Sequence, residues 1–62
     1  MKVREIIKLI ETDGCFYHRQ KGSHRQFKHP TKSGRVTVAG KPSKDLHPDT
    51  VNSILRQAGL KK

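Results

Sequence analysis

Two apolar stripes of helical period, one at each end of the chain, enclose a middle that cannot continue as helix. Val3, Ile6, Ile7 and Ile10 recur at i, i+3, i+4 and i+7, with Arg4, Glu5, Lys8 and Glu11 between and beside them. That spacing predicts a helix over 2–13 with one apolar face. Gly14 ends it at the left-handed C′ position. Val51, Ile54, Leu55 and Ala58 form the second stripe. Pro48 suits its first helical position, and Asp49 complements the positive end of its dipole. Gly59 is its C′ residue, Leu60 folds back toward Leu55, and two fraying lysines follow.

The residues between are cut by turn signals. Lys21-Gly22-Ser23 is one turn, and 30–34, with Pro30 and Gly34, is another. This leaves 15–20 (CFYHRQ), 24–29 and 35–39 (RVTVA) as strands, and 40–46 (GKPSKDL) as a loop. Two short connections in succession imply an antiparallel meander. The expected fold is α+β, α-β-β-β-α, with a three-stranded antiparallel sheet carrying both helices on one face. The other sheet face is left open. A chain of 62 residues is expected to be one domain, 1–62.

The first hairpin has two possible registers. A two-residue turn puts Phe16 and Phe27 on one face, with Tyr17, Arg19, His24, Gln26 and Lys28 on the other. A three-residue turn groups Cys15, Tyr17 and Phe27 inward and places His24 beside Phe16, His18 and Gln20. A slip of one residue flips the face. In either case His24, Gln26 and Lys28 share a face, because strand side chains alternate.

Charge narrows the partners. Lys and Arg number 14 against 5 Asp and Glu, a net +9, with a pI near 10.4. A polyanion fits that balance, nucleic acid first. A chain this short has no room for both a core and a deep dry pocket, so a site is expected on an open surface or in a shallow groove. Cys15 is the one cysteine. It allows no intramolecular disulfide and no cysteine zinc cluster, and it fits a reducing compartment. Arg4, Glu5 and Lys8 interrupt any apolar leader, and no run approaches the ~18 residues of a membrane span. A cytoplasmic protein with no membrane partner is expected.

The stretch QKGSHRQFKHP, 20–30, concentrates the chemistry. His24 follows a Gly-Ser turn whose backbone N–H groups a phosphate can approach closely. Ser23 adds a hydroxyl, and Lys21, Arg25 and Lys28 add positive charge, although Arg25 points to the face opposite His24. A neutral imidazole there can act as general base toward the 2′-hydroxyl of RNA, starting an in-line attack that leaves a cyclic phosphate. Basic neighbours stabilise the charge that builds on the phosphoryl oxygens. The alternative is a strand-start histidine bonded only to backbone. His18 is expected to be structural, His29 a turn residue or phosphate contact, and His47 an N-cap. Their spacing gives no metal-ligand pattern, so no metal and no cofactor are expected. Cys15 is expected to pack as a small apolar residue, and Thr37 to be a cross-strand partner. Lys41 and Lys44 can extend a phosphate track. Phe16 or Tyr17, whichever faces out, can stack a base, and the other joins the core.

The stretches GSHRQFKHP (22–30), RVTV (35–38) and TVNSILRQAGL (50–60), with the spacing between them, resemble the HicA toxin family (YcfA-like), the small RNA-cleaving half of the HicA–HicB toxin–antitoxin system. The resemblance covers nearly the whole chain. It implies a double-stranded-RNA-binding-domain-like fold, cleavage of mRNA without a metal cofactor, and a HicB antitoxin that covers the catalytic histidine, which maps onto His24. Lys21, Gly22, Ser23, Arg25, Gln26 and Lys28 are the RNA-binding candidates around it. The family's apolar preference at the positions of Cys15 and Tyr17 favours the three-residue turn. Cys15 departs from the bulkier apolar residue that is common there. AGKPSKDL departs from the Pro- and His-containing segment that follows the third strand in many members.

Two other readings differ in class. A non-catalytic RNA-binding module on the same fold needs no histidine in the turn. A DNA reader needs an exposed basic recognition helix, and the second helix offers only Arg56.

Overall fold

The computed structural model describes residues 1–61. Of the two terminal lysines, Lys61 reaches back to Asn52 Oδ1 at 2.8 Å, and Lys62 lies outside the described residues. The elements are α1 (Val3–Thr12), β1 (Phe16–Lys21), β2 (His24–Lys28), β3 (Val36–Ala39) and α2 (Pro48–Gln57). The strands form one antiparallel sheet in the order β1-β2-β3. The α-β-β-β-α, α+β expectation is met, with each boundary within about one residue of the sequence reading.

Both helices start and stop for the expected reasons. Glu5 accepts the Lys2 backbone N–H at 2.7 Å across the first turn of α1. Gly14, at φ +109°, donates to Glu11 O at 2.9 Å, and Cys15 N–H donates to Ile10 O at 3.0 Å. These two bonds make a Schellman ending, which needs a residue without Cβ at C′. α2 repeats it: Gly59 donates to Arg56 O at 3.0 Å and Leu60 to Leu55 O at 2.9 Å. His47 is the N-cap, its Nδ1 accepting from Asp49 N–H at 3.1 Å.

The core lies on one side of the sheet. Val3, Ile6 and Ile10 of α1, Ile54 of α2 and its C-cap Ala58 close over Phe27, Val36 and Val38, with Cys15 and Leu46 completing it. Ile7, Val51 and Leu55 pack against the margin. Burial, and then the Asp13 carboxylate, push the Cys15 thiol above its ordinary pKa, while Lys32 pulls the other way. Leu46 corrects the reading of 40–46 as plain loop. Asp45 bridges to Lys2, with Val3 N–H on Lys44 O at 2.9 Å and Leu46 N–H on Met1 O at 2.8 Å. That short antiparallel pairing carries Leu46 under α1. Both helices contact β3, whereas every residue of β1 is exposed.

The hairpin register combines the two alternatives. Lys21 pairs with His24, Gln20 with Arg25 and Arg19 with Gln26. The turn is therefore the two-residue Gly22-Ser23, not the three-residue turn that the resemblance favours. Gly22 has φ +59°, and among the described residues no non-glycine has positive φ, which is the pattern of a type II′ hairpin turn. Beyond Arg19 the register shifts, and Tyr17 pairs with Phe27 and Phe16 with Lys28. His18 is the extra residue of a β-bulge. The bulge puts Tyr17 on the Phe27 side and Phe16 on the open side, as a three-residue turn would have done.

Candidate functional site

Antiparallel pairing lays out the open sheet face in rows, because directly paired residues share a side. The first row is Lys21, His24 and Ala39; the second is Arg19, Gln26 and Thr37; the third is Phe16 and Lys28. No helix covers these rows. Arg35, just before β3, reaches onto the second row and donates from Nη1 to Gln26 Oε1 at 3.1 Å. The face thus carries Arg19, Lys21, Lys28 and Arg35 around two histidines and one aromatic ring.

His24 is exposed at the first position of β2. Among the described residues its imidazole has no hydrogen-bond partner, which disfavours the reading of a histidine engaged by backbone. The turn beside it is open: a Cβ on Gly22 would meet nothing within 4 Å. The Gly22 carbonyl is held by Gln20 Nε2 at 2.8 Å, and the Ser23 carbonyl accepts from Gly40 N–H at 3.2 Å. Both turn carbonyls are thereby tied down.

The candidates of the sequence reading divide by position. Lys21, Gln26 and Lys28 share the His24 face, and Gly22 and Ser23 form the adjoining turn. Arg25 does not join them. It pairs with Val38 on the helix side, and its Nη1 donates to Gly40 O at 2.9 Å. Arg25 holds the end of β3 beside the turn. Arg19 and Arg35 belong to the face and were not among the candidates. The alternation of β1 marks Arg19 only once the turn length is known, and Arg35 arrives from the connection before β3.

His18 also differs from its structural expectation. Among the described residues its ring has no hydrogen-bond partner. Desolvation, and then the charges of Lys28, Arg19 and Arg35, hold its pKa below the ordinary histidine value of 6.5. It is the bulge residue of β1, between Tyr17 and Arg19. His29 is the structural histidine instead. Its Nε2 meets the Asp13 carbonyl at 2.8 Å, and its Nδ1 accepts from the Thr31 and Lys32 N–H groups, each at 3.1 Å. It is not free to contact a phosphate.

The aromatic pair is settled in part. Phe16 is 47% exposed on the open face. Tyr17 is on the core side but is 54% exposed, lying edge-on to Phe27 with ring centroids 6.2 Å apart. It shields the rim of the core rather than entering it. A groove of about 360 Å³ runs elsewhere, along the outer edge of β3 beside α2. Gln57 spans it, its Oε1 accepting the Thr37 N–H at 3.0 Å. Among the described residues no three His, Cys, Asp or Glu side chains gather as a metal-holding group. No helix among them is long and apolar enough to cross a membrane.

The family model described as HicA toxin of bacterial toxin–antitoxin matches residues 3–60. That span holds both helices and all three strands, and the chain belongs to this family of toxins, whose members have an antitoxin partner. No curated protein matches the chain closely.

Proposed function

We propose that this member of the HicA toxin family is an endoribonuclease that cleaves mRNA without a metal cofactor, uses His24 as general acid/base, and is held inactive by a HicB antitoxin. The observation that carries the reading is the placing of His24. It is an imidazole without a hydrogen-bond partner among the described residues, beside an open Gly-Ser turn, on a sheet face lined by Lys21, Arg19, Lys28 and Arg35.

In this reading a phosphodiester lies against the Gly22-Ser23 turn with its 2′-hydroxyl toward His24. The neutral ring takes the hydroxyl proton as the 2′-oxygen attacks phosphorus. The P–O5′ bond breaks, giving a 2′,3′-cyclic phosphate on one fragment and a 5′-hydroxyl, after protonation, on the other. Lys21, paired directly with His24, stabilises the phosphoryl charge from the same face. One positioned base contributes roughly 10²–10⁴-fold. Cytoplasmic mRNA fits the charge of the chain and its single reduced cysteine.

The test is cleavage of RNA by purified protein in excess EDTA, wild type beside His24→Ala, with binding followed in parallel. The expected result is loss of cutting by about 10²-fold or more with binding largely kept. Equal cutting by both proteins rules out His24 as the catalyst. Binding by both with cutting by neither leaves an RNA-binding module.

A further inference from the structure

The open face has a polarity along β2 that the catalytic reading does not use. His24 lies at one end and Lys28 at the other, four residues on, roughly 14 Å at strand rise. Phe16 lies directly across from Lys28. Its ring is 47% exposed, on the side of the sheet that has no helix over it.

The bulge makes the position specific. With the two-residue turn and an unbroken ladder, Phe16 would share the side of Phe27 and pack against the core. The extra residue at His18 reverses the phase of everything before it and turns the Phe16 ring outward. Around the ring stand Lys28, Arg19 and the Arg35–Gln26 pair. Cations spaced beside an exposed ring, on an open strand surface, are the combination that binds single-stranded nucleic acid: charge follows the backbone, and the ring takes a base.

We infer that Phe16 is a nucleobase-stacking subsite for single-stranded RNA, set a few nucleotides along the strand from the phosphate at His24. This rests on the ribonuclease reading for its scissile end and adds a second anchor, which fixes how far from the stacked base the chain is cut. Stacking accepts any base, so the subsite contributes affinity and registration more than sequence choice. Lys28 neutralises the phosphate next to the stacked base, and Gln26 with Arg35 offers donors to the nucleotide between.

The experiment uses a short 2′-O-methyl RNA, which cannot be cut because its nucleophile is blocked, and the matching all-ribose strand. Affinity for the blocked strand is measured for wild type, Phe16→Ala and Phe16→Trp, and cleavage of the ribose strand for the same three. Phe16→Ala is expected to weaken binding by roughly 5- to 150-fold, the range of one base–aromatic stack, and Phe16→Trp to retain it. The Phe16 ring protons are expected to shift upfield when the blocked strand binds. Replacing one base of that strand by an abasic sugar is expected to abolish the difference between wild type and Phe16→Ala at one position only. Equal affinity of wild type and Phe16→Ala, with cutting intact, overturns the subsite and leaves the ribonuclease reading standing. A Phe16→Ala that binds RNA normally but loses its antitoxin makes the ring a protein contact and also overturns it. A wild-type protein that neither binds nor cuts RNA removes both readings together.

Discussion

His29 Nε2 lies 2.8 Å from the carbonyl oxygen of Asp13 and donates to it. The proton is on Nε2 because Nδ1 is occupied, accepting from the backbone N–H groups of Thr31 and Lys32. One side chain thereby ties the end of α1 to the connection between β2 and β3. His29→Ala leaves two backbone donors and one carbonyl without that partner. It is expected to destabilise the protein by about 1–3 kcal/mol in urea titration. RNA cutting measured well below the new midpoint is expected to persist, because His29 is not on the open face.

The same contact explains a second position. A Cβ on Gly14 would come 2.9 Å from His29 Nε2, at φ +109°. Gly14→Ala therefore combines an unfavourable backbone with a clash against an engaged ring, whereas Gly22→Ala has the backbone cost alone. Gly22→Ala is expected to lower stability by about 1–2 kcal/mol, and Gly14→Ala by more. Thermal and urea melts of the two variants check the order. A larger loss at Gly22 contradicts it.

His18 gives a pH signature. Its pKa is lowered by desolvation and by Lys28, Arg19 and Arg35, so the folded protein resists its protonation. Between the lowered folded value and the ordinary one of 6.5, the unfolded chain binds more protons at this site. Its contribution to stability is therefore full above 6.5 and falls as the pH drops through that window. An NMR titration of the His18 ring is expected to give a midpoint below 6.5. Lys28→Gln is expected to raise that midpoint, and so is added salt. A midpoint that Lys28→Gln leaves unmoved contradicts the assignment of the charge.

Cys15 is buried in the core with its thiol pKa raised. The thiolate is the reactive species. Native protein at pH 8 is expected to react with a thiol-specific disulfide reagent far more slowly than protein in denaturing urea. Cys15→Ala is expected to fold with a modest loss of stability, and Cys15→Asp not to fold. Rapid reaction in native conditions would contradict the placing of Cys15.

A HicB antitoxin that covers His24 must meet the cations of the open face. Its contact surface is then expected to be acidic, and the association rate to fall steeply as salt rises. Stopped-flow mixing over a salt series reads this directly. A rate independent of salt would point to a contact elsewhere.

Both helices were legible in the sequence because their signals are redundant. The Val3-Ile6-Ile10 stripe and Gly14 mark the same element, as Ile54-Leu55-Ala58 and Gly59 mark the other, and cap and period agree. The shared face of His24, Gln26 and Lys28 was legible because it follows from alternation whatever the register. The bulge was not, since Phe16, Tyr17 and His18 all accept strand geometry and none marks an extra residue. Leu46 was not, because a single apolar residue has no period. His29 was not, because its partners depend on where α1 ends in space. Arg35 was missed for the same reason, as its bond to Gln26 spans two strands.

β1 is pinned at both ends to structures that know nothing of each other. The Schellman ending of α1 fixes Cys15 inward, and the Gly22-Ser23 turn fixes Lys21 opposite His24. The two settings are out of step by one residue, and His18 absorbs the difference. Substitution along this strand alters one side chain at a time, and all six positions are exposed. Removing one residue at the bulge would close it into an unbroken ladder that satisfies both anchors, whereas adding one would need a second unpaired residue or release an anchor. As the sequence drifts, this strand can lose a residue at the bulge more readily than it can gain one.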